Sequence, residues 1–482
     1  MMRIAQYTVL TLLLTAALFL ASCQIGKPYA RPEMQLPEQL DTLQQDSTTI
    51  ADYKWWEIYS DTTLQRLIDQ ALEYNKDLNM AASRVRQLAQ MKRIDFAEFF
   101  PQFDAHISSE DENMNYGGNN LDMDFEHQTL VDIAWEVDLW GNLRWKRDIS
   151  MAEFLASIEN QRALQMSIIA QVAESYFELV ALDNELSIVQ QTLEARKEGL
   201  HLAHIRFTGG LTSEMAYQQA NVELAKTMTL VPDLERRIEK KESEIAFLTG
   251  SFPKRIERNR LPEEISLPDT LPVGLPSTLL ERRPDIRRAE QQLVAANAAV
   301  GASYTDMFPR LRLTSHLGLE SDALKTFLVS PYTFVYGIIG APIFEFGKNR
   351  ALWRAKQAAY EEAVYAYEKA VLKAFKEVHN AIVDFHKIAE IYESRLQLEQ
   401  ASKTAVELAQ LQYINGVIGY LDLLDAQRGY FDAQLSLSNA MRDKQIMLVN
   451  LYKALGGGWD YEPMTIKTKT AKEKAQQQEK TE

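Results

Sequence analysis

The single cysteine, Cys23, stands directly after a short hydrophobic leader. A thiol in that position is a nucleophile placed for thioether attachment of diacylglycerol. The leader carries one positive charge, Arg3, runs apolar over residues 9–21 and closes as Leu20-Ala21-Ser22-Cys23. That is the layout of a secretory signal whose cleavage leaves Cys23 as the first mature residue. The alternative is an uncleaved anchor with an incidental cysteine, although the apolar run is shorter than the roughly 20 residues of a spanning helix. A second candidate is electrostatic. Asp422 and Asp425 lie three apart in Tyr420-Leu421-Asp422-Leu423-Leu424-Asp425-Ala426, on one face of a helix. Acids that open a helix are also favoured by its macrodipole, so a capping role stands beside a functional one. His201 and His204 have a spacing that permits chelation on a helix, and a solvated face accounts for them equally simply. The seven histidines form no recognised metal-ligand spacing with carboxylates. No G-x-S-x-G, glycine-rich phosphate loop or C-x-x-C occurs, so neither catalysis nor ATP-driven transport is expected.

The composition narrows the classes further. One cysteine cannot pair within the chain, and a net charge of −15 over 482 residues argues against nucleic acid as a partner. No second stretch approaches the apolar length of a transmembrane helix. A membrane-spanning role therefore requires strands.

The chain reads as a duplication. Asp77-Leu78 matches Asp285-Ile286, and Phe100-Pro101 matches Phe308-Pro309. Asp138-Leu139-Trp140-Gly141 matches Phe344-Glu345-Phe346-Gly347, and Phe207-Thr208-Gly209-Gly210-Leu211 matches Tyr413-Ile414-Asn415-Gly416-Val417. The period is far too long for a solenoid repeat. The domains expected are a cleaved signal at 1–22, a lipidated segment at 23–60, a first repeat at 61–250 and a second at 276–459. A proline-rich joint at 251–275 separates the repeats, and a tail at 460–482, rich in Lys, Gln and Glu, is expected to be disordered. Each repeat orders a helix, a Phe-Pro break, two strands and two long helices around a glycine turn. Ile168, Val172, Ser175, Leu179, Leu182, Leu186, Val189 and Leu193 form a coiled-coil seam, with Ala173, Phe177 and Val180 as a second stripe beside it. A continuous helix over 141–207 would reach about 100 Å.

Strands are expected near 102–112, 128–140, 310–320 and 332–346. Thr129, Val131, Ile133, Trp135, Val137 and Leu139 alternate with polar neighbours, as do Leu311, Leu313, Leu317 and Leu319. That is the pattern of a membrane barrel strand. Residues 109–127, acidic around Gly117-Gly118, read as an extracellular loop. Four strands cannot close a barrel, and open edges are not tolerated in lipid. Three copies would supply twelve. The fold class expected from these patterns is mostly α, with long coiled-coil helices plus four strands per chain in a shared, twelve-stranded membrane β-barrel.

Several segments carry a resemblance. Leu20 to Cys23 resembles the lipobox of bacterial lipoproteins. Tyr29-Ala30-Arg31-Pro32, then Trp55-Trp56 with Asp61, and Glu281-Arg282-Arg283-Pro284-Asp285-Ile286 followed by Ala289-Glu290 and Ala295-Ala296-Asn297, resemble the outer-membrane efflux factors. Pro342-Ile343-Phe344 with Gly347 and Asn349-Arg350 fits the same family. The resemblance, over residues 23–459, is to the lipoprotein branch of the TolC-like channels that serve resistance–nodulation–division pumps. It implies a homotrimeric tunnel, a shared twelve-stranded outer-membrane barrel continued by a trimeric α-barrel of the long coiled-coil helices. With it come a covalent lipid on Cys23 and no other cofactor, a periplasmic membrane-fusion adaptor and an inner-membrane pump. It also implies a periplasmic gate at Tyr413, Asp422 and Asp425, with the aspartates forming three-fold rings. Gly209, Gly210, Leu211, Gly416 and Val417 become helix tips beside which adaptor hairpins dock. This chain has Ile418 where an arginine can lock the closed state. The exit duct of a type I protein secretion system and a periplasmic coiled-coil scaffold are the alternative readings.

Overall fold

The computed structural model describes residues 24–37, 49–58, 61–114, 122–259 and 276–458. The leader, Cys23, most of the proline-rich joint and the tail lie outside the described residues.

The repeat is visible element by element. After the short α1 (Trp55–Ile58) and α2 (Thr62–Tyr74), the first copy comprises α3 (Lys76–Ala97), β1 (Gln102–Met114), β2 (Asp122–Val137), α4 (Asn142–Thr208) and α5 (Glu214–Leu248). A short α6 (Pro276–Arg282) leads into the second copy: α7 (Pro284–Thr305), β3 (Arg310–Ser321), β4 (Pro331–Gly340), α8 (Lys348–Ile414) and α9 (Tyr420–Ala454). The helices match in length: α3 and α7 have 22 residues, α4 and α8 have 67, α5 and α9 have 35. Among the described residues no helix is long and apolar enough to cross a membrane. The chain forms two compact units, each assembled from both copies.

One unit takes in Asp77–Gln161 and Asp285–Lys373 with the N-terminal strap. It contains the sheet, antiparallel throughout in the order β1-β2-β3-β4. The register pairs Phe103 with Ile133, Ala105 with Val131, Trp135 with Leu313, and Leu317 with Val131. Period-two geometry then collects these residues, with Ile107, Val335 and Ile339, on a single face. Asp104, His106, Asp132, Glu136, Arg312 and His316 share the other. Next to the sheet, Trp145 is buried against Ala298 and Ala302 of α7. A Cβ on Gly301 would come within 2.4 Å of its ring, so the small residues of α7 make room for the indole.

Three boundaries differ from the alternation pattern. β2 ends at Val137, so Leu139 and Trp140 leave the strand. Asp138 turns there to accept hydrogen bonds from the backbone N–H of Leu143 and Arg144, and Gly141 adopts φ +84°. The segment caps α4 instead of extending the sheet. β4 stops at Gly340, because Pro342 cannot donate to a ladder and Phe346 and Gly347 take positive φ to enter α8. The acidic stretch at 109–127 is not one loop. β1 and β2 continue pairing through Glu110 with Glu126 to Met114 with Asp122, because backbone pairing does not require apolar side chains. Residues 115–121 lie outside the described part.

The second unit holds Arg162–Pro284 and the chain from Ala374 onward, together with α1 and α2. Asp61 caps α2 by accepting from Thr63 and Leu64 N–H at 2.8 and 3.2 Å. Within α4, Ile168, Val172, Leu179, Leu182 and Val189 are buried, and so are Ala173, Phe177 and Val180. The helix therefore packs on two sides, and Leu186 and Leu193 are half-buried where the seam loosens. α5 continues through Pro232. Leu279, Val378, Ile382, Phe385, Leu448 and Leu451 form one core, and a second core closes the helix tips.

Candidate functional site

Two regions could carry function, the sheet and the helix tips. The sheet presents one aliphatic and aromatic face and one polar face, and β1 and β4 each have one strand edge without a partner among the described residues. Phe103 is 67 % exposed, Ile107 81 % and Ile339 72 %, a density of apolar surface suited to lipid and costly in water.

At the tips, α4 and α8 end in the same capping motif. Leu211 N–H donates to Arg206 O at 2.8 Å and Gly210 N–H to Phe207 O at 3.0 Å. In the second copy Val417 N–H donates to Gln412 O at 2.9 Å and Gly416 N–H to Tyr413 O at 3.1 Å. Gly210 and Gly416 both sit at φ +74°, the left-handed conformation this motif requires. Leu211 and Val417, at 72 and 71 % exposed, stand out from the two turns.

Tyr413 points inward. It is 4 % exposed and packs in the tip core with Ala203, Ala216, Ala220, Tyr420, Leu423 and Leu424, with Ile418 against the cluster. Its ring lies 5.8 Å from Tyr420, and the Arg206 guanidinium sits 4.8 Å over it while donating to Ile414 O. The hydroxyl has no hydrogen-bond partner among the described residues, and burial pushes its ionisation upward. Asp422 accepts from Gly419 N–H at 3.0 Å, so it caps its own helix while remaining exposed. Asp425 is exposed one turn further on and adds to the field at Arg428. His204 packs against the Tyr217 ring at 5.2 Å.

A charged network lies behind the aspartates that spacing alone did not single out. Arg428 donates to the Glu223 carboxylate, Lys226 reaches the same group at 3.3 Å, and Arg196 donates to Gln427. Glu223 has only 8 % of its side chain exposed, and the hydrogen bond from Arg428 holds its carboxyl below the usual range. One signal was available: Glu223 interrupts the buried stripe Ala216, Ala220, Thr227 of α5.

The segments that carried the resemblance are clamps. Arg31 makes a two-pronged pair with Glu290 at 2.7 and 2.8 Å, and Tyr29 donates to the same carboxylate. Arg283 pairs with Glu377 at 2.6 Å and donates to Ala454 O, while Arg282 reaches Asp52. Asn297 donates to Lys27 O at 3.2 Å, which ties the described N-terminal segment to α7.

The comparisons agree with this layout. The outer membrane efflux protein family matches residues 67–251 and 275–457, one match to each repeat. The solvent efflux pump outer membrane protein SrpC of Pseudomonas putida is 33% identical over 460 residues, covering 92% of this chain and 97% of that protein. The probable outer membrane lipoprotein SilC of Salmonella typhimurium is 27% identical, covering 91% and 96%. Among solved structures, the outer-membrane channel OprN aligns with TM-score 0.83 at 29% identity, over 91% of this chain and 100% of that one. With both repeats matched and the strand and helix order shared, this chain belongs to the outer membrane efflux protein family.

Proposed function

We propose that this outer-membrane efflux channel works as a homotrimer, a passive exit duct of a tripartite pump for drugs or other small solutes. The carrying observation is the four-stranded sheet with one lipid-suited face and two unpaired edges. In lipid each unpaired backbone group costs several kcal/mol, so β1 of one copy pairs with β4 of the next until twelve strands close. The apolar face meets lipid and the polar face lines the lumen. An inner-membrane resistance–nodulation–division pump supplies the energy through a periplasmic adaptor, which docks beside Gly209, Gly210, Leu211, Gly416 and Val417. The chain itself does no catalysis. Tyr413, Asp422 and Asp425 form the periplasmic gate, with the two aspartates as three-fold carboxylate rings that favour cations. Cys23 carries the lipid, in keeping with a relative named as a lipoprotein.

Detergent-extracted protein should migrate as a heat-modifiable trimer and conduct ions in planar bilayers. A monodisperse monomer that conducts would overturn the shared barrel. Separately, Cys23→Ser should abolish incorporation of radiolabelled palmitate, and a labelled variant would remove the lipid assignment.

A further inference from the structure

The polar face of the sheet holds a cluster that the duct reading does not use. The Asp132 carboxylate on β2 bonds to Nδ1 of His106 on β1 at 3.1 Å through one oxygen, and to Nδ1 of His316 on β3 through the other. In the register, Asp104, Asp132, His316 and Phe334 stand side by side across all four strands. His316 stacks on Phe334 at 6.2 Å and 14°, and on Tyr336 at 5.8 Å and 27°. The three polar side chains remain 42, 26 and 25% exposed, so ions in water reach them.

The other charged groups on this face do not cancel the cluster. Glu136 stands opposite Arg312, one acid against one base, and Arg310 opens β3. Glu110 pairs with Glu126, and Glu320 with Gln128, further along the strands. From β4 come the phenols of Tyr332 and Tyr336 and no Asp, Glu, Lys or Arg.

We propose that His106, Asp132 and His316 form a proton-controlled selectivity layer, cation-preferring at neutral pH and above and losing that preference on acidification. The proposal rests on the reading of this face as the lumen. With both imidazoles neutral, the layer carries the two carboxylates Asp104 and Asp132 per chain. Protonating both imidazoles adds two positive charges and brings the layer to zero. Histidine is the side chain that ordinarily changes charge between pH 5 and 8. Because each Nδ1 faces Asp132, the added proton goes to Nε2 and the Nδ1–H bonds persist. Charge changes while geometry holds. Repeated three times around a lumen, the change alters the field that permeating ions meet.

The test is the reversal potential of the full-length trimer in planar bilayers under a KCl gradient, at pH 8 and pH 5.5. The K+ over Cl− permeability ratio of the wild type should fall by about threefold or more on acidification. His106→Gln with His316→Gln should hold its pH 8 ratio at both values, and Asp132→Asn should lower the ratio already at pH 8. A double variant that follows the wild type, or a wild type indifferent to pH, overturns the proposal. Thr314→Cys, on the same face, tests the lumen separately. If a charged, membrane-impermeant thiol reagent leaves its conductance unchanged, the duct reading itself fails. A changed conductance with a pH-independent wild-type reversal potential defeats only the selectivity layer.

Discussion

The turns at Gly209-Gly210-Leu211 and Asn415-Gly416-Val417 share their hydrogen bonds and their glycine φ of +74°, yet the residues around them have diverged. With α5 and α9 starting at Glu214 and Tyr420, equivalent positions lie 206 apart. Phe207 then corresponds to Tyr413, Ala216 to Asp422, Gln219 to Asp425 and Val222 to Arg428. The first tip is ordinary packing: Phe207 stacks on Tyr217 at 6.1 Å with planes 9° apart. The second replaces an aromatic by a phenol, an alanine and a glutamine by carboxylates, and an exposed valine by an arginine bound to Glu223. A duplicated backbone preserves the turn because the turn is what both copies need. Asp422, Asp425 and Arg428 have uncharged counterparts in Ala216, Gln219 and Val222, an asymmetry the shared turn does not require and one in keeping with the gate proposed at the second tip.

The largest effect should come from the arginine that only the second tip carries. Arg428→Ala leaves Glu223, nearly buried, with Lys226 alone at 3.3 Å. Losing one partner of such a pair costs about 2–3 kcal/mol, between the exposed and fully buried cases. Amide exchange at the start of α9 should then accelerate roughly 30- to 150-fold, while Val222→Ala should change it little. The same pair makes a pH prediction. The Glu223 carboxyl is depressed chiefly by the Arg428 hydrogen bond, so its contribution is fully present above the ordinary carboxylate range. It is lost as pH falls through the lowered value. Exchange at α9, corrected for intrinsic rates, should rise only below about pH 4, and Glu223→Gln should abolish that dependence.

Where the two tips are alike, they should respond alike. Adding a Cβ at Gly210 or Gly416 meets no atom within 4 Å, so Gly210→Ala and Gly416→Ala carry only the cost of positive φ. That is about 1–2 kcal/mol each, and unequal exchange at the two turns would contradict the shared backbone. The carboxylates should separate from each other. Asp422→Ala loses both a helix cap worth about 1 kcal/mol and gate charge, whereas Asp425→Ala loses charge alone. Single-channel recordings should show both variants with lower cation selectivity and weaker block by trivalent cations, and exchange should rise for Asp422→Ala only. If neither changes the reversal potential, Asp422 is a helix-capping residue, Asp425 a solvated surface acid, and the aspartate gate fails.

These contrasts also mark what the amino-acid order could disclose. The duplication, the two helix stripes of α4 and the apolar strand face are periodic, and periodicity is set locally. Strand ends were less legible. Whether Trp140 extends β2 or caps α4 depends on Asp138 reaching two N–H groups of the next element. The acidic residues beyond Ser109 carry no apolar alternation, yet the hairpin runs through them because its ladder is backbone. At the candidate site, Asp422 and Asp425 stand out by spacing, while the partner of Arg428 lies 205 positions away in the other repeat. Pairings across that distance have no local signature, apart from the odd carboxylate in a buried stripe. The His106, Asp132 and His316 cluster is of the same kind, three residues from three strands joined only by register.

The smallest and most discriminating change makes the second tip resemble the first. Tyr413→Phe restores the residue type of Phe207 and removes one oxygen. Within a single chain that oxygen is buried without a partner among the described residues, a situation that costs about 1–3 kcal/mol. On the single chain alone, its removal would therefore slow exchange at the tip. In the closed trimer we expect the opposite, because the proposed gate has this hydroxyl bonding to a neighbouring copy. Losing that bond costs about 0.5–1.5 kcal/mol, so exchange should quicken by about two- to tenfold and closed-state conductance should rise. Phe207→Tyr, the reverse change at the first tip, should leave conductance unaltered. If Tyr413→Phe slows exchange in the trimer, the hydroxyl has no partner there either, and Tyr413 is a core residue like Phe207.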